Sequence, residues 1–301
     1  MYSFRAPRSV WLALLWGLAS TPAAAGKIYK IVNPDGTVHY TDRRPEALDD
    51  VEIIKTRAEP QRIAQLQIER DGPKRRAVAR NMIDGPIEIE LRFRSATNVL
   101  AQPALPLRVV VPAAGSQTVA EFAAADSRLA YSFELEMSSV PGAPVGKPED
   151  FAYLLPVEGD AWRIDQGWNG SFSHRDPQSQ YAVDLNVAEG TPIRAARAGR
   201  VMQVEDDFEG AGLSLEKFAG RANHVRIVHD DGTMAVYAHL AADSVVVRSG
   251  ARVRQGQRIG LSGNTGYSTG PHLHFAVQAN RGMALASIPF RFAGEVRIPG
   301  R

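Results

Sequence analysis

Two histidines, His272 and His274, stand one residue apart in "GNTGYSTGPHLHFAV", residues 263–277, just after a loop punctuated by glycine and proline. In an extended segment the side chains at i and i+2 leave the same face, so both imidazoles project together with Leu273 behind them. Imidazole is a metal ligand when neutral, and with an ordinary pKa of about 6.5 it is also a proton acceptor at neutral pH. Taken alone, H-x-H is a weak metal signal, because a solvated strand face with alternating polar residues would read the same way. Its weight comes from its company: six of the seven histidines lie between residues 174 and 274. "NGSFSHRDPQSQYAVDLNV" supplies His174 and, ten positions later, Asp184, while "GTMAVYAHLAADSV" supplies His239 at the end of an apolar run. The chain has no cysteine, so any metal must be held by His, Asp or Glu, a donor set that zinc accepts. Three protein ligands with an open fourth position would make such a site catalytic rather than structural.

Four pieces follow one another in order: "GSFSH...YAVDLNVAEGTPIRAARAGRV", "NHVRIVHDDGTMAVYAHL", "VRSGARVRQGQRIGLSGNTG" and "STGPHLHF". In that order and spacing, roughly residues 152–292 resemble the lysostaphin/LytM-type zinc metallopeptidases, which cut peptide bonds in peptidoglycan. The resemblance implies one Zn²⁺ held by His174, Asp184 and His274, with His239 and His272 as the catalytic pair beside the open coordination position. The chemistry agrees, since zinc lowers the pKa of a bound water towards about 7 and histidines can then manage its proton. There is no H-E-x-x-H helix, so the glutamate base of thermolysin-like enzymes is absent and a histidine base takes its place. Two departures from the family pattern stand out. The family often has H-x-x-x-D, whereas here nine residues separate His174 from Asp184, which makes Asp176 a rival ligand, though one with no strand to hold it. Six residues before His174 the family often has a tyrosine thought to assist the oxyanion; this chain has Trp168, whose indole N–H would either donate in its place or simply pack. The expected function is a zinc-dependent endopeptidase acting on peptidoglycan cross-links or stem peptides. The competing reading is a catalytically inactive LytM-type activator of a separate cell-wall amidase, and such domains typically have lost zinc ligands. His229, running into a turn, reads as a structural or rim residue, and His224 as a strand-surface residue.

The elements that must position these residues read as β throughout, and the expected fold class is mainly β. Residues 150–295 read as a barrel-like β sandwich of the LytM type, with Gly-rich turns between short strands and one helical insert over 212–223. Before it, residues 85–149 read as a small β-sandwich-like domain, where Ile87 to Phe93 alternates with period 2. This domain is a candidate spacer, docking surface or cover for the groove. Residues 56–84 are polar and charged, which suits a linker or a short surface helix. Residues 26–55 form a hairpin module around "NPDG", containing His39, and resemble a small module found at the start of many Gram-negative envelope proteins. Residues 1–25 carry Arg5 and Arg8, a short apolar run, and Ala23 and Ala25 placed for cleavage, which reads as a secretory signal peptide. The expected location is therefore periplasmic or extracellular, with no membrane span after signal removal and with envelope proteins as partners for the N-terminal domains. With 35 basic and 33 acidic residues, the net charge of +2 argues against a nucleic-acid partner. Without cysteine no disulfide framework is available, so stability has to come from packed cores.

Overall fold

Period-2 alternation organises nearly all of the chain. A computed structural model describes residues 27–32, 38–41, 51–55, 62–145, 147–218 and 220–300. Residues 1–25, which the sequence reading takes for a signal peptide, lie outside the described residues. The chain divides into one unit over Met1–Arg57 and another over Ala58–Arg301. In the first unit, β1 (Lys27–Val32) pairs antiparallel with both β2 (Val38–Thr41) and β3 (Val51–Lys55), so the expected hairpin gains a third strand. His39 sits exposed on β2.

The second unit opens with seven strands: β4 (Ala64–Asp71), β5 (Lys74–Asn81), β6 (Ile87–Thr97), β7 (Val99–Gln102), β8 (Leu107–Val111), β9 (Ser116–Ala124) and β10 (Ser132–Pro141). They form two sheets, in the orders β4-β5-β9-β7 and β10-β6-β8. Their inner faces meet over Ala77, Ala79, Ile87, Ile89, Leu91 and Phe122, all fully buried. The reading of residues 56–84 as a linker or helix is corrected here, because β4 and β5 fall within that range. In "KRRAVARN" the charged side chains alternate outward while the inward positions are Ala77, Ala79 and Asn81. These small residues give a strand almost no apolar signature.

The remaining elements are β11 (Ala152–Tyr153), β12 (Arg163–Gln166), β13 (Val183–Asn186), β14 (Pro192–Arg194), β15 (Gly199–Glu205), β16 (Ala211–Gly212), α1 (Leu215–Phe218), β17 (His224–Val228), β18 (Met234–Ala238), β19 (Arg252–Val253), β20 (Arg258–Leu261), β21 (Gly266–Tyr267), β22 (His272–Asn280), β23 (Leu285–Ser287) and β24 (Arg291–Phe292). The predicted helical insert is reduced to the single turn of α1. The main sheet runs β12-β13-β22-β18-β17-β15-β19, with β23 added alongside β22, and among the described residues this path stays open rather than closing into a barrel. The protein is mainly β.

Alternation gives the main sheet two unlike faces. Leu185, Leu273, Phe275, Val277, Tyr237, Val225 and Ile227 point into one large core and are fully buried. The opposite face carries Asp184, His272 and His274, followed along β22 by Ala276 and Gln278 and along β18 by Ala238, Val236 and Met234. Part of this second face is covered by the β sandwich. Met202 and Met234 belong to the same buried cluster as Ile87, Ile89 and Phe122. Polar contacts seal the junction: Glu88, only 5% exposed, accepts hydrogen bonds from Asn280 Nδ2 and the Met283 amide, both at 2.7 Å.

Candidate metal centre and peptidase cleft

The uncovered half of that face is the floor of a cleft of about 940 Å³. On the floor, β13 pairs with β22 so that Asp184 lies opposite His274 and Asn186 opposite His272. β18 flanks β22 on the other side, with Ala238 opposite His274, and hands the chain to His239 one residue later. His174 comes from the loop before β13 and is buried. Ligand atoms of His174, Asp184 and His274 all lie within 4.8 Å of one another. The long spacing between His174 and Asp184 is accommodated because residues 175–180 loop out and return: the amides of Ser179 and Gln180 both donate to the Asp176 carbonyl. Asp176 itself is turned to local work, its Oδ1 accepting from the Gln178 amide at 2.8 Å, and it is outside the three-ligand group.

Each imidazole is oriented by its second nitrogen. His174 Nδ1–H donates to the Gly167 carbonyl at 2.7 Å, which leaves Nε2 as the lone-pair nitrogen, 3.2 Å from Asp184 Oδ1. His239 Nδ1–H donates to the Thr265 carbonyl at 2.6 Å and His272 Nδ1–H to the Gly270 carbonyl at 2.8 Å. A carbonyl can only accept, so each bond fixes the tautomer and presents Nε2 as an acceptor. His274 uses the other nitrogen, with Nδ1 2.8 Å from Asp184 Oδ1. The rings of His239 and His272 lie 4.5 Å apart, centroid to centroid, and His272 Nε2 is 3.9 Å from Asp184 Oδ1. His239 is held at φ 64°, in the left-handed region that non-glycine residues rarely adopt, at a cost of about 1–3 kcal/mol. The Thr265 bond and the Leu240 amide, which donates to the Asn223 carbonyl at 3.1 Å, hold it there.

Charge follows this geometry. Burial alone would raise the Asp184 carboxyl, but the adjoining His174 and His274 imidazoles outweigh it and hold the group well below the usual range. Burial opposes charge on His174 too, and there the Asp184 carboxylate prevails and raises the pKa. His239 is pushed down to about 3, by burial first and then by His272 and His274, so it stands neutral.

Sequence reading missed several supports. Gln166, at the end of β12, donates from Nε2 to Asp184 Oδ2 at 2.9 Å and to Ser173 Oγ at 2.7 Å. It thereby aims the other carboxylate oxygen at the histidines. The Gly167, Thr265 and Gly270 carbonyls are equally hidden from sequence, since a backbone oxygen has no letter. Gly263 pairs with His272 across an isolated bridge, and a Cβ there would come within 2.4 Å of the Ala241 amide nitrogen, so the glycine is required by close approach. Of the two alternatives for Trp168, packing is the one observed: its ring meets the edges of Tyr181 and Phe290 in the core, and it does not line the cleft. His224 lines the cleft on β17, and His229 is buried at 3% exposure away from it.

Residues 178–285 match the family described as Peptidase family M23. They are an M23 peptidase domain. The matched stretch includes Asp184, His239, His272 and His274 and begins four residues after His174 (178 − 174). Residues 14–77 match a second family, a domain of unknown function designated DUF4124. Peptidoglycan DD-endopeptidase ShyA of Vibrio cholerae is 35% identical over 146 residues, 42% of this chain and 30% of that protein. Glycyl-glycine endopeptidase ALE-1 of Staphylococcus capitis is 39% identical over 103 residues, 34% of this chain and 25% of that protein. Among solved structures, the antimicrobial peptidase lysostaphin from Staphylococcus simulans aligns with a TM-score of 0.29 and 34% identity, over 40% of this chain and 43% of that one. The chain thus spans about a third or less of the length of these curated relatives. No described helix is long and apolar enough to cross a membrane.

Proposed function

We propose that the protein is a zinc-dependent endopeptidase that hydrolyses peptide bonds of peptidoglycan, with His174, Asp184 and His274 holding one Zn²⁺ and His239 and His272 acting on the substrate. The observation that carries this reading is the convergence of two imidazoles and one carboxylate within 4.8 Å, beside a second histidine pair whose tautomers are fixed by carbonyls. The donor set fits the metal. Two nitrogens and one oxygen suit zinc, and two of the three residues are also bonded outside the metal position, His174 to Gly167 and Asp184 to Gln166. When bound, zinc supplies Lewis acidity to the scissile carbonyl and lowers the pKa of water to about 7. His272 Nε2 accepts the proton lost by the attacking water, beside a His239 that burial keeps neutral. A ring that has taken the proton becomes the donor that stabilises the oxyanion and then protonates the leaving amine. The cleft floor is a sheet face with loop walls, which suits an extended peptide. The presence of all three ligand types and both histidines favours the enzyme over the amidase activator.

The expected result is that the purified full-length chain carries one zinc and releases peptides from sacculi. His272→Ala should keep zinc and lose turnover by at least about 10²-fold, whereas His274→Ala should lose the metal. A wild-type protein without stoichiometric zinc, or a His272→Ala variant cutting at the wild-type rate, would overturn the assignment. Product masses from defined muropeptides identify the bond. The reading of residues 1–25 as a signal peptide supports a reaction in the periplasm or outside the cell, and the N-terminal domains are proposed to dock envelope proteins.

A further inference from the structure

Arg226 lies on the cleft face of the main sheet and, among the described residues, has no ion-pair partner. Register places it there: His274 pairs with Ala238, Ala238 with His224, and Arg226 is the next residue along β17 on the same side. Two strand spacings across and two residues along put its Cα about 12 Å from that of His274. The side chain crosses above Val236 to donate from Nη1 to Gln278 Oε1, four residues beyond His274 on β22. Gln278 is fixed in turn, its Nε2 donating to the Gln178 carbonyl at 2.9 Å. Arg226 Nε is buried with no hydrogen-bond partner among the described residues. Nor does any described carboxylate neutralise the guanidinium: desolvation is the only influence on it, lowering its pKa to about 10. The acidic residues of the cleft are committed elsewhere, Asp184 to the histidines, Asp165 to Arg163 and Asn186, and Asp176 to the Gln178 amide. A guanidinium taken partly out of water with one neutral acceptor is costly unless an anion completes it. Its planar donors match a carboxylate.

We propose that Arg226 is a specificity-determining residue that binds a free carboxylate of the peptide substrate, about three residues of extended chain from the scissile bond. The inference rests on the peptidase reading above for what occupies the cleft. It makes the enzyme selective for peptides bearing an unmodified carboxylate at that position over the same peptides carrying a carboxamide.

Two substrate pairs test it, both with the full-length zinc-loaded protein. One is an uncross-linked tetrapeptide stem and the same stem with its carboxylates converted to carboxamides, compared by calorimetry. The other is the cross-linked dimer in the same two forms, compared by kcat/KM. The wild type should favour the carboxylate form by about tenfold or more in both measurements, the equivalent of about 1.4 kcal/mol. Arg226→Gln should bring both ratios close to one by losing the carboxylate form alone, and Arg226→Lys should retain part of the preference. Equal handling of both forms by the wild type overturns the proposal whatever the variants do. So does a uniform loss on both forms in Arg226→Gln, which would mark the residue as a support for Gln278. Carboxylate-selective, Arg226-dependent binding without cleavage would instead leave this proposal standing and remove the peptidase reading.

Discussion

Asp184 is the residue on which the centre turns, because it meets two histidines with one oxygen and Gln166 with the other. Removing the Gln166 amide leaves Oδ2 unbonded and lets the carboxylate rotate. Gln166→Ala should therefore weaken zinc binding by about 10- to 100-fold, measured by competition with a chelator, while activity recovers at saturating zinc. The ligand types were legible in the sequence because histidine is scarce in this chain and H-x-H in a strand can have only one geometry. Orientation was not legible: the tautomers of His174, His239 and His272 are set by the Gly167, Thr265 and Gly270 carbonyls, which only the fold brings near. Asp184 was favoured over its rival Asp176 because a strand could hold it, and β13 sets it opposite His274.

Among the elements, the β17–β18 hairpin shows how the sheet buries a titratable group outside the cleft. His229 opens its turn and donates from Nδ1 to the Ala198 carbonyl at 2.8 Å, while Nε2 is buried without a partner among the described residues. Burial lowers its pKa from the ordinary 6.5 to about 4. Between those values the unfolded chain takes up a proton that the folded protein refuses, so stability is complete above about 6.5 and is lost as pH falls towards 4. The loss is on the order of 3 kcal/mol. Urea midpoints recorded from pH 7 to 4 should fall less steeply for His229→Gln than for the wild type. The strands most legible beforehand were those with large apolar residues on one face, such as β6 and β22. β5 was missed because alanines fill most of its buried positions and β4 because it has no buried position, while the helical insert was overread because only Leu215–Phe218 of it is helical.

At the scale of the molecule, the β sandwich and the peptidase domain share a sheet face. Glu88→Ala would strand two buried donors, Asn280 Nδ2 and the Met283 amide, at about 1–3 kcal/mol each. Because Met202 and Met234 lie in the sandwich core, the second unit should melt in one calorimetric transition, which this substitution shifts down by about 5–15 °C. A separate peptidase transition left unmoved by the substitution would show that the two parts are uncoupled. No described residue of the sandwich lines the cleft, so the sandwich leaves the floor around His274 open while sealing the other end of the same face. This arrangement bears on inheritance as well as on folding. A peptidase domain recombined onto a different N-terminal partner would carry Met202, Met234 and Asn280 with it, uncovered. The sandwich and the main sheet must therefore change together, and the boundary across which this chain can exchange parts lies ahead of β4, not at the start of the M23 domain.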